Sequence, residues 1–585
     1  MDKPEALETL QAEEQAWLDT VYQGNKLPEL TTKVYVVGGL ISILLIATNI
    51  YVGLKTGLTQ SNSILAALLG FALFRLFRAQ STVLENNNVQ TMASAAGSIG
   101  IMVSAVPALT LLGFSFSGFQ LFIWITVVNL LGVLFAVPLR KQFIVIEKLP
   151  FPSGTACAEM IKAMYAHGGD AIKKAKSLLF TGLFAGVFTW FRDAVPAIIP
   201  AMTNIPISIG QYALQQVRLA FNWSPMLVGV GFVIGPRIGI SLVVGAIAGW
   251  VVLGPYLASA GIIESFSMRQ IRNWNMWAAI GLMVSAGFTA LALQGGTIMR
   301  AFRSMKQARL SGGLGVELSL SAWLWYMGIV VVAVSLAMQL MFDIPIWMTL
   351  LAVVVAYLLS VLTVRAYGET DMSPIGAMGY ATQMIYGAVH PGNMLTCVMT
   401  AGVTASGANQ SCDMMQDFKT GYLLGATPRR QTYAQLVGVL VGSVVAIPIF
   451  LALTGAFGIG TETMPAPSAV SWSGMAKLFS TGFAALPAYT YIGVIGGVLL
   501  GILLTLAERS KFRRFVLSPY GLGIAMIMPP DFSIMIFLGS MLRVVLDKKF
   551  TAWMEQYSIS LAAGLIVGES VIGVVISILA VFGMI

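Results

Sequence analysis

Charge is scarce in this chain. Lys, Arg, Asp and Glu together make up 10% of its 585 residues, against about 25% in an ordinary soluble domain. With 57% of residues hydrophobic, a water-soluble fold could not hide so much apolar surface. Only two histidines occur, His167 and His390, neither in a metal-ligand spacing, so no histidine-built metal centre is expected. Three cysteines, Cys157, Cys397 and Cys412, form no C-x-x-C pair, and neither a disulfide nor a metal role is assigned to them. The chain lacks a G-x-x-x-x-G-K-[ST] phosphate loop and an H-E-x-x-H helix, which argues against ATP-driven pumping and zinc proteolysis. Two histidines are also a poor supply of general bases for a serine hydrolase. The reading is therefore not an enzyme, with no cofactor.

Long apolar runs take the place of these motifs. A bilayer crossing needs roughly 20 mostly apolar residues, and stretches of that kind recur from Val34 to Ile585 with short polar connections. Counting them predicts an all-α polytopic membrane protein with about 14 to 16 transmembrane helices, bounds uncertain by several residues. The net charge of +9 does not form a nucleic-acid face. It sits in short clusters at Arg75/Arg78, Arg140/Lys141/Lys148, Lys173/Lys174/Lys176, Arg300/Arg303/Lys306/Arg309, Lys419/Arg429/Arg430, Arg509/Lys511/Arg513/Arg514 and Lys548/Lys549. The positive-inside rule places these clusters, and the N-terminus, in the cytoplasm. Residues 1–33 are polar and acidic, with no basic stretch leading an apolar one, and read as a cytoplasmic N-terminal segment rather than a cleaved leader.

Several segments are too polar, or too broken by Gly and Pro, to face lipid as plain helices: 85–100, 150–159, 367–379, 404–417 and 517–533. Irregular backbone at membrane depth survives where protein or a water-filled cavity satisfies it, so these segments are expected, as broken or re-entrant pieces, around an internal path. A weak echo runs through the chain. Gly57–Ile64 resembles Gly368–Ile375, Ala95–Ser98 resembles Ala405–Ala408, and Leu139-Arg140 before Leu149–Gly154 resembles Glu508-Arg509 before Leu517–Gly521. Two homologous halves, 34–315 and 316–585, would explain it.

An acid at mid-membrane costs roughly 2.5 to 3.5 kcal/mol on insertion scales, so each needs a partner, a cavity or a role. Glu85, Glu159, Glu369, Asp371, Asp413, Asp417, Asp531 and Glu569 lie in or beside the broken segments and apolar spans. Glu85, Asp417 and Asp531 fit either an interface or a buried position. Glu159, Asp371 and Glu569, set among small or apolar residues, are expected to be buried. Arg237, in Gly235-Pro-Arg-Ile-Gly239, suits a substrate carboxylate or an internal acid, or is a loop arginine. The run Asn86-Asn87-Asn88 with Gln90, Thr91, Ser94 and Ser98 either lines a polar route or satisfies itself and the backbone. Glycines four apart at Gly245/Gly249, Gly493/Gly497/Gly501 and Gly564/Gly568 suit close helix packing, inside one chain or between the copies of a homodimer.

The polar segments resemble the oligopeptide transporter family. The likeness lies in Glu85–Ser98 (ENNNVQTMASAAGS), Leu149–Ala156 (LPFPSGTA), Gly-Pro-Arg at 235–237, Gly368–Gly376 (GETDMSPIG), Asp413–Gly425 (DMMQDFKTGYLLG) with Pro428-Arg429, and Ser518-Pro519 onwards. It spans nearly the whole chain. The Asn-Pro-Gly and Lys-Ile-Pro-Pro-Arg signatures of the peptide-transporting clade are missing, so the chain looks nearer the yellow stripe-like clade and its prokaryotic relatives. The resemblance implies a proton-coupled symporter bringing small peptides or metal-chelate complexes into the cytoplasm, with metal present only as chelated cargo. On that reading Glu85, Glu159, Asp371, Asp413, Asp417 and Glu569 are candidates for proton coupling. Asn87, Asn88, Gln90, Ser94, Ser153, Arg237 and Ser373 are candidates for substrate contact. Compactness and short loops suit a prokaryotic inner membrane. The rivals are a sodium-coupled carrier, a passive channel for a small polar solute and, more distantly, a membrane enzyme.

Overall fold

The computed structural model describes residues 13–58, 63–166, 168–195, 198–293, 316–370, 375–482, 487–511 and 515–584. Asp371, Ser373 and the expected boundary at 315 lie outside them. The first helices are α1 (Thr32–Thr56), α2 (Ser63–Leu76), α3 (Val83–Gly97), α4 (Ala105–Leu111), α5 (Gly118–Arg140), α6 (Pro152–Ala166) and α7 (Gly168–Thr189). Two short antiparallel pairs follow, β1 (Met202–Asn204) with β4 (Ala220–Asn222) and β2 (Ser208–Ile209) with β3 (Tyr212–Ala213). Then come α8 (Pro225–Ala246), α9 (Gly254–Ser259), α10 (Met268–Leu293), α11 (Leu320–Phe342), α12 (Ile346–Thr370), α13 (Ile375–Val389) and α14 (Met394–Leu424). The chain closes with α15 (Pro428–Phe457), α16 (Pro467–Thr481), α17 (Thr490–Ala507), α18 (Pro519–Ile527), α19 (Pro530–Lys549) and α20 (Thr551–Val581).

This is an all-α polytopic membrane protein. Among the described residues, nine helices are long and apolar enough to cross a bilayer, fewer than the about 14 to 16 apolar stretches counted in the sequence. Many of those stretches fold as pieces. α2, α13, α16 and α18 have 14, 15, 15 and 9 residues, too short at about 1.5 Å per residue to span about 30 Å of hydrocarbon. α14 is different, with 31 residues that are long enough to cross but polar in composition.

Glycine lets the helices approach to backbone contact. A Cβ on Gly245 would lie 2.5 Å from the Leu522 carbonyl oxygen, one on Gly497 2.2 Å from that of Ala278, and one on Gly568 2.1 Å from that of Gly182. The glycine faces on α8, α17 and α20 are thus covered by α18, α10 and α7 of the same chain, which removes the basis they offered for a homodimer. Gly568→Val is expected to push α20 off α7 and to destabilise by about 1 to 3 kcal/mol, read as earlier thermal unfolding in detergent. Gly496→Val, with nothing within 4 Å of its added Cβ, should melt like wild type. Equal melting of both variants would refute this packing account.

The N-terminal segment closes one end of the bundle. Glu13 pairs with Lys148 at 2.9 Å, Glu14 with Lys141 at 2.9 Å and Glu29 with Arg430 at 3.6 Å. Trp17 stacks on Tyr422, ring centroids 5.0 Å apart, and Lys33 donates to the Gln80 carbonyl. Lys141 and Lys148 after α5, Arg430 in the first turn of α15 and the stretch after α2 therefore share one end of the molecule with residues 13–33. Lys419 is an exception. It is buried in α14, where it donates to the Leu149 carbonyl at 2.9 Å.

Candidate functional site

α3 begins with a capping box: Thr82 Oγ1 accepts from the Glu85 amide at 3.0 Å and Glu85 Oε2 accepts from the Thr82 amide at 3.0 Å. The helix then stops at Gly97, within the core, and a helix end leaves carbonyls that need donors. Side-chain amides supply them. Asn49 donates to Gly97 O at 2.7 Å, Asn409 to Ser98 O at 2.5 Å and Gln410 to Ala95 O at 3.0 Å. The polar run in the sequence is thus a helix whose broken end is finished by α1 and α14.

Facing it, α14 carries Asp413 and Asp417 one turn apart, a spacing that puts both carboxylates on one helix face. Asp417 is fully buried. Its oxygens accept from Ser94 Oγ at 2.7 Å, from Ser63 Oγ at 3.3 Å and from Gln90 Nε2. Asp413 accepts from Gln435 Nε2 at 3.1 Å, and Gln431 Nε2 donates to the Asp417 carbonyl at 2.8 Å. The donors come from α2, α3 and α15, and every one is neutral. Among the described residues no Lys, Arg or His forms an ion pair with either acid.

Two short helices start at this place. Ser63, the first residue of α2, touches Asp417, while Gly154 in the first turn of α6 lies against Gln416, and Thr420 Oγ1 donates to the Gly154 carbonyl at 2.9 Å. Helix N-termini carry partial positive charge, so two of them partly offset the acid pair. Several buried polar atoms here have no partner among the described residues: both amide atoms of Asn87, Gln90 Oε1 and Gln435 Oε1. Asn87 lies on the same helical stripe as Gln90, Thr91 and Ser94.

A second buried acid is held quite differently. Glu569 of α20 meets Arg192 at 3.1 Å, has both carboxylate oxygens 2.8 Å from Ser224 Oγ, whose one proton they share, and accepts from the Met226 amide at 2.9 Å, with Lys55 at 4.0 Å. Arg192 also grips Asp193 at 2.6 Å, and Lys55 donates to Tyr51 Oη at 2.7 Å. A third, Asp531, pairs with Arg218 at 2.7 Å and accepts from Asn222 at 2.9 Å. Both of these acids are charge-compensated; the pair on α14 is not.

Residues 29–580 match the family described as OPT oligopeptide transporter protein. The chain belongs to the oligopeptide transporter family. It is 27% identical to a putative oligopeptide transporter of Haemophilus influenzae, over 90% of this chain and 92% of that protein. It is also 27% identical to a probable metal-nicotianamine transporter of Oryza sativa, covering 94% and 86%. For a probable metal-nicotianamine transporter of Arabidopsis thaliana the identity is 25%, covering 97% and 90%. The protein is an integral membrane transporter and not an enzyme; it works on a small-molecule or peptide substrate within a lipid bilayer.

Of the transporter's sequence-derived candidates, the fold gathers Asp413, Asp417, Gln90, Ser94 and, by its stripe, Asn87. The remainder are placed elsewhere. Asn88 donates to the Glu29 carbonyl at 3.3 Å and to Leu84 O at 3.0 Å, tying α3 to the N-terminal segment. Glu85 is consumed by its capping box, by Thr31 at 2.7 Å and by Lys33 at 3.1 Å. Glu159, expected to be buried, is instead exposed and paired with Lys162 at 3.2 Å, because the face of α6 that packs inward carries Cys157, Ala158 and Ile161. Ser153 is half-buried in the first turn of α6.

Arg237 follows a break at Gly235, φ 78° and ψ 174°, where only glycine is comfortable. Both arms of α8 meet the same stretch of α19: a Cβ on Gly231 would lie 2.2 Å from Ile536 O, and one on Gly239 2.2 Å from Ser540 Oγ. Arg237 is exposed there, bound to Glu508 and donating to Val516 O at 2.8 Å, so it faces a surface acid rather than an internal one. Sequence reasoning missed Gln431 and Gln435, four apart in the first two turns of α15 just before its apolar run, and Arg192, a single arginine inside an apolar span. Polar residues at helical spacing in apolar runs were the signal available.

Proposed function

We propose that this transporter is a proton-coupled symporter that imports small peptides or metal chelates, with Asp413 and Asp417 as its proton-carrying pair. The observation that carries the reading is two buried carboxylates, one turn apart, with only neutral donors around them. Two like charges buried side by side, with no cation paired to either, are expensive. A proton bound between them removes one, and releasing it towards the other side of the membrane restores the repulsion; that cycle can be tied to substrate movement. The substrate class is supported by the relatives' names, which cover peptides and metal-nicotianamine complexes. The shared basic end supports a cytoplasmic N-terminus, and the short loops support a prokaryotic inner membrane.

A sodium-coupled carrier is the second reading. It is favoured by the unpartnered carbonyl oxygens of Gln90, Gln435 and Asn87 beside the acids, since hard cations take oxygen ligands. The test is uptake into proteoliposomes of a panel of small peptides and iron or nickel chelates, under an inward proton gradient, an inward sodium gradient, or neither. Accumulation above equilibrium under the proton gradient alone is expected, collapsing when a protonophore is added. Accumulation that follows sodium would move the assignment to the second reading, and downhill flux indifferent to both gradients would end coupling altogether.

A further inference from the structure

The end of α2 builds a basic recess that the transport site does not use. Phe71, Phe74, Arg75, Arg78, Ser81 and Tyr165 line a cavity of about 500 Å³. Arg78 sits in the left-handed region, φ 53°, a conformation that costs a non-glycine residue about 1 to 2 kcal/mol. The chain folds back there, with Arg78 N donating to Arg75 O at 3.1 Å and Ala79 N to Phe74 O at 2.8 Å. Both guanidiniums are thereby brought to one cavity. Arg75 lies 5.2 Å over the Phe71 ring, and the Ser81 and Tyr165 hydroxyls, 2.7 Å apart, make a polar wall.

Nothing among the described residues neutralises these arginines: no ion pair involves either one. Glu85, the acid of this region, is engaged by Lys33, Thr31 and Thr82. Next to the arginines, Leu76 and Phe77 are 72% and 56% exposed. Two free cations in a polar hollow, with two bare apolar side chains beside them, make the pattern of a membrane interface, where basic pockets between helices hold anionic headgroups.

We propose that this recess binds the phosphate of an anionic phospholipid. Arg75 and Arg78 donate to the phosphate oxygens, the Ser81 and Tyr165 hydroxyls complete the polar side, and Leu76 and Phe77 lie along the acyl chains. The headgroup thus holds at the membrane surface the far end of α2, the helix whose first residue touches Asp417. The inference is independent of which ion drives transport.

The test uses the full chain purified in detergent. Native mass spectrometry and thermal unfolding are followed while phosphatidylglycerol, phosphatidylcholine or inorganic phosphate is added. Phosphatidylglycerol should be retained and should raise the unfolding midpoint. Arg75→Gln with Arg78→Gln should weaken that retention about 30-fold, and Arg78→Gln alone about fivefold, so the single variant decides if the double one does not fold. Arg509→Gln, at a different basic loop, should retain the lipid like wild type. Equal retention of phosphatidylcholine, or undiminished retention by the recess variants, would overturn the site. Stabilisation by inorganic phosphate to the same extent would overturn the lipid as its source.

Discussion

Asp417→Asn is expected to reduce gradient-driven accumulation to the level of protein-free vesicles, while exchange of substrate between equal concentrations continues. The substitution keeps the size of the side chain: Oδ1 can still accept from Ser63 and Gln90, and Ser94, whose hydroxyl can donate to the Thr91 carbonyl instead, can accept from the new amide nitrogen, so the fold should tolerate it. What it removes is the ionisable group. With Asp417 permanently neutral, Asp413 no longer has a charged neighbour one turn away, and the repulsion that makes proton binding favourable is gone. The measurement is paired: uphill uptake under an inward proton gradient, and counterflow with no gradient. Retention of uphill uptake would remove Asp417 from the coupling step, and loss of both activities together with the unfolding transition would point to a structural role.

Arg192→Ala is expected to have the largest effect on stability, about 3 to 5 kcal/mol, because it strips the close cation from a fully buried carboxylate. Glu569 would keep Ser224, the Met226 amide and a distant Lys55, none of which replaces a guanidinium at 3.1 Å. The loss should appear as a strongly lowered unfolding midpoint in detergent. Adding Glu569→Gln should restore a good part of it, since the second change removes the charge left stranded by the first. A double variant no better than Arg192→Ala would show that the arginine acts through Asp193 or through the Trp223 carbonyl, to which it donates at 2.8 Å, and not through Glu569. Asp417 differs: Glu569 is held by a cation and should fail structurally when that cation goes, whereas Asp417 has none and should fail functionally when its charge goes.

Much of the candidate site was legible in the sequence. Asn87, Gln90, Ser94, Asp413 and Asp417 were among the candidates because polar residues are rare in this chain, and rarity at membrane depth carries information, but nothing in the sequence set Asp413 and Asp417 above Glu85, Glu159 and Asp371. Where the reading went astray, the missing piece was what each side chain meets once the chain has folded. Glu159 looked buried because its sequence neighbours are small, yet a helix shows its neighbours to opposite sides, and Lys162 one turn on holds it at the surface. Arg237 looked available for a substrate, but Glu508, 271 positions away, occupies it.

Composition alone determined that the chain lives in a bilayer and is helical, because so much apolar surface has no other place to go and a backbone in hydrocarbon must satisfy itself. Its polar motifs alone determined the family. Only the tertiary structure decided which acids are compensated, for Glu569 finds Arg192 across 377 positions and Asp417 finds Ser94 across 323. The physical reason is that the energy of a buried charge depends on what stands within a few ångströms of it, and in a bundle of broken helices those neighbours come from segments that no local spacing connects.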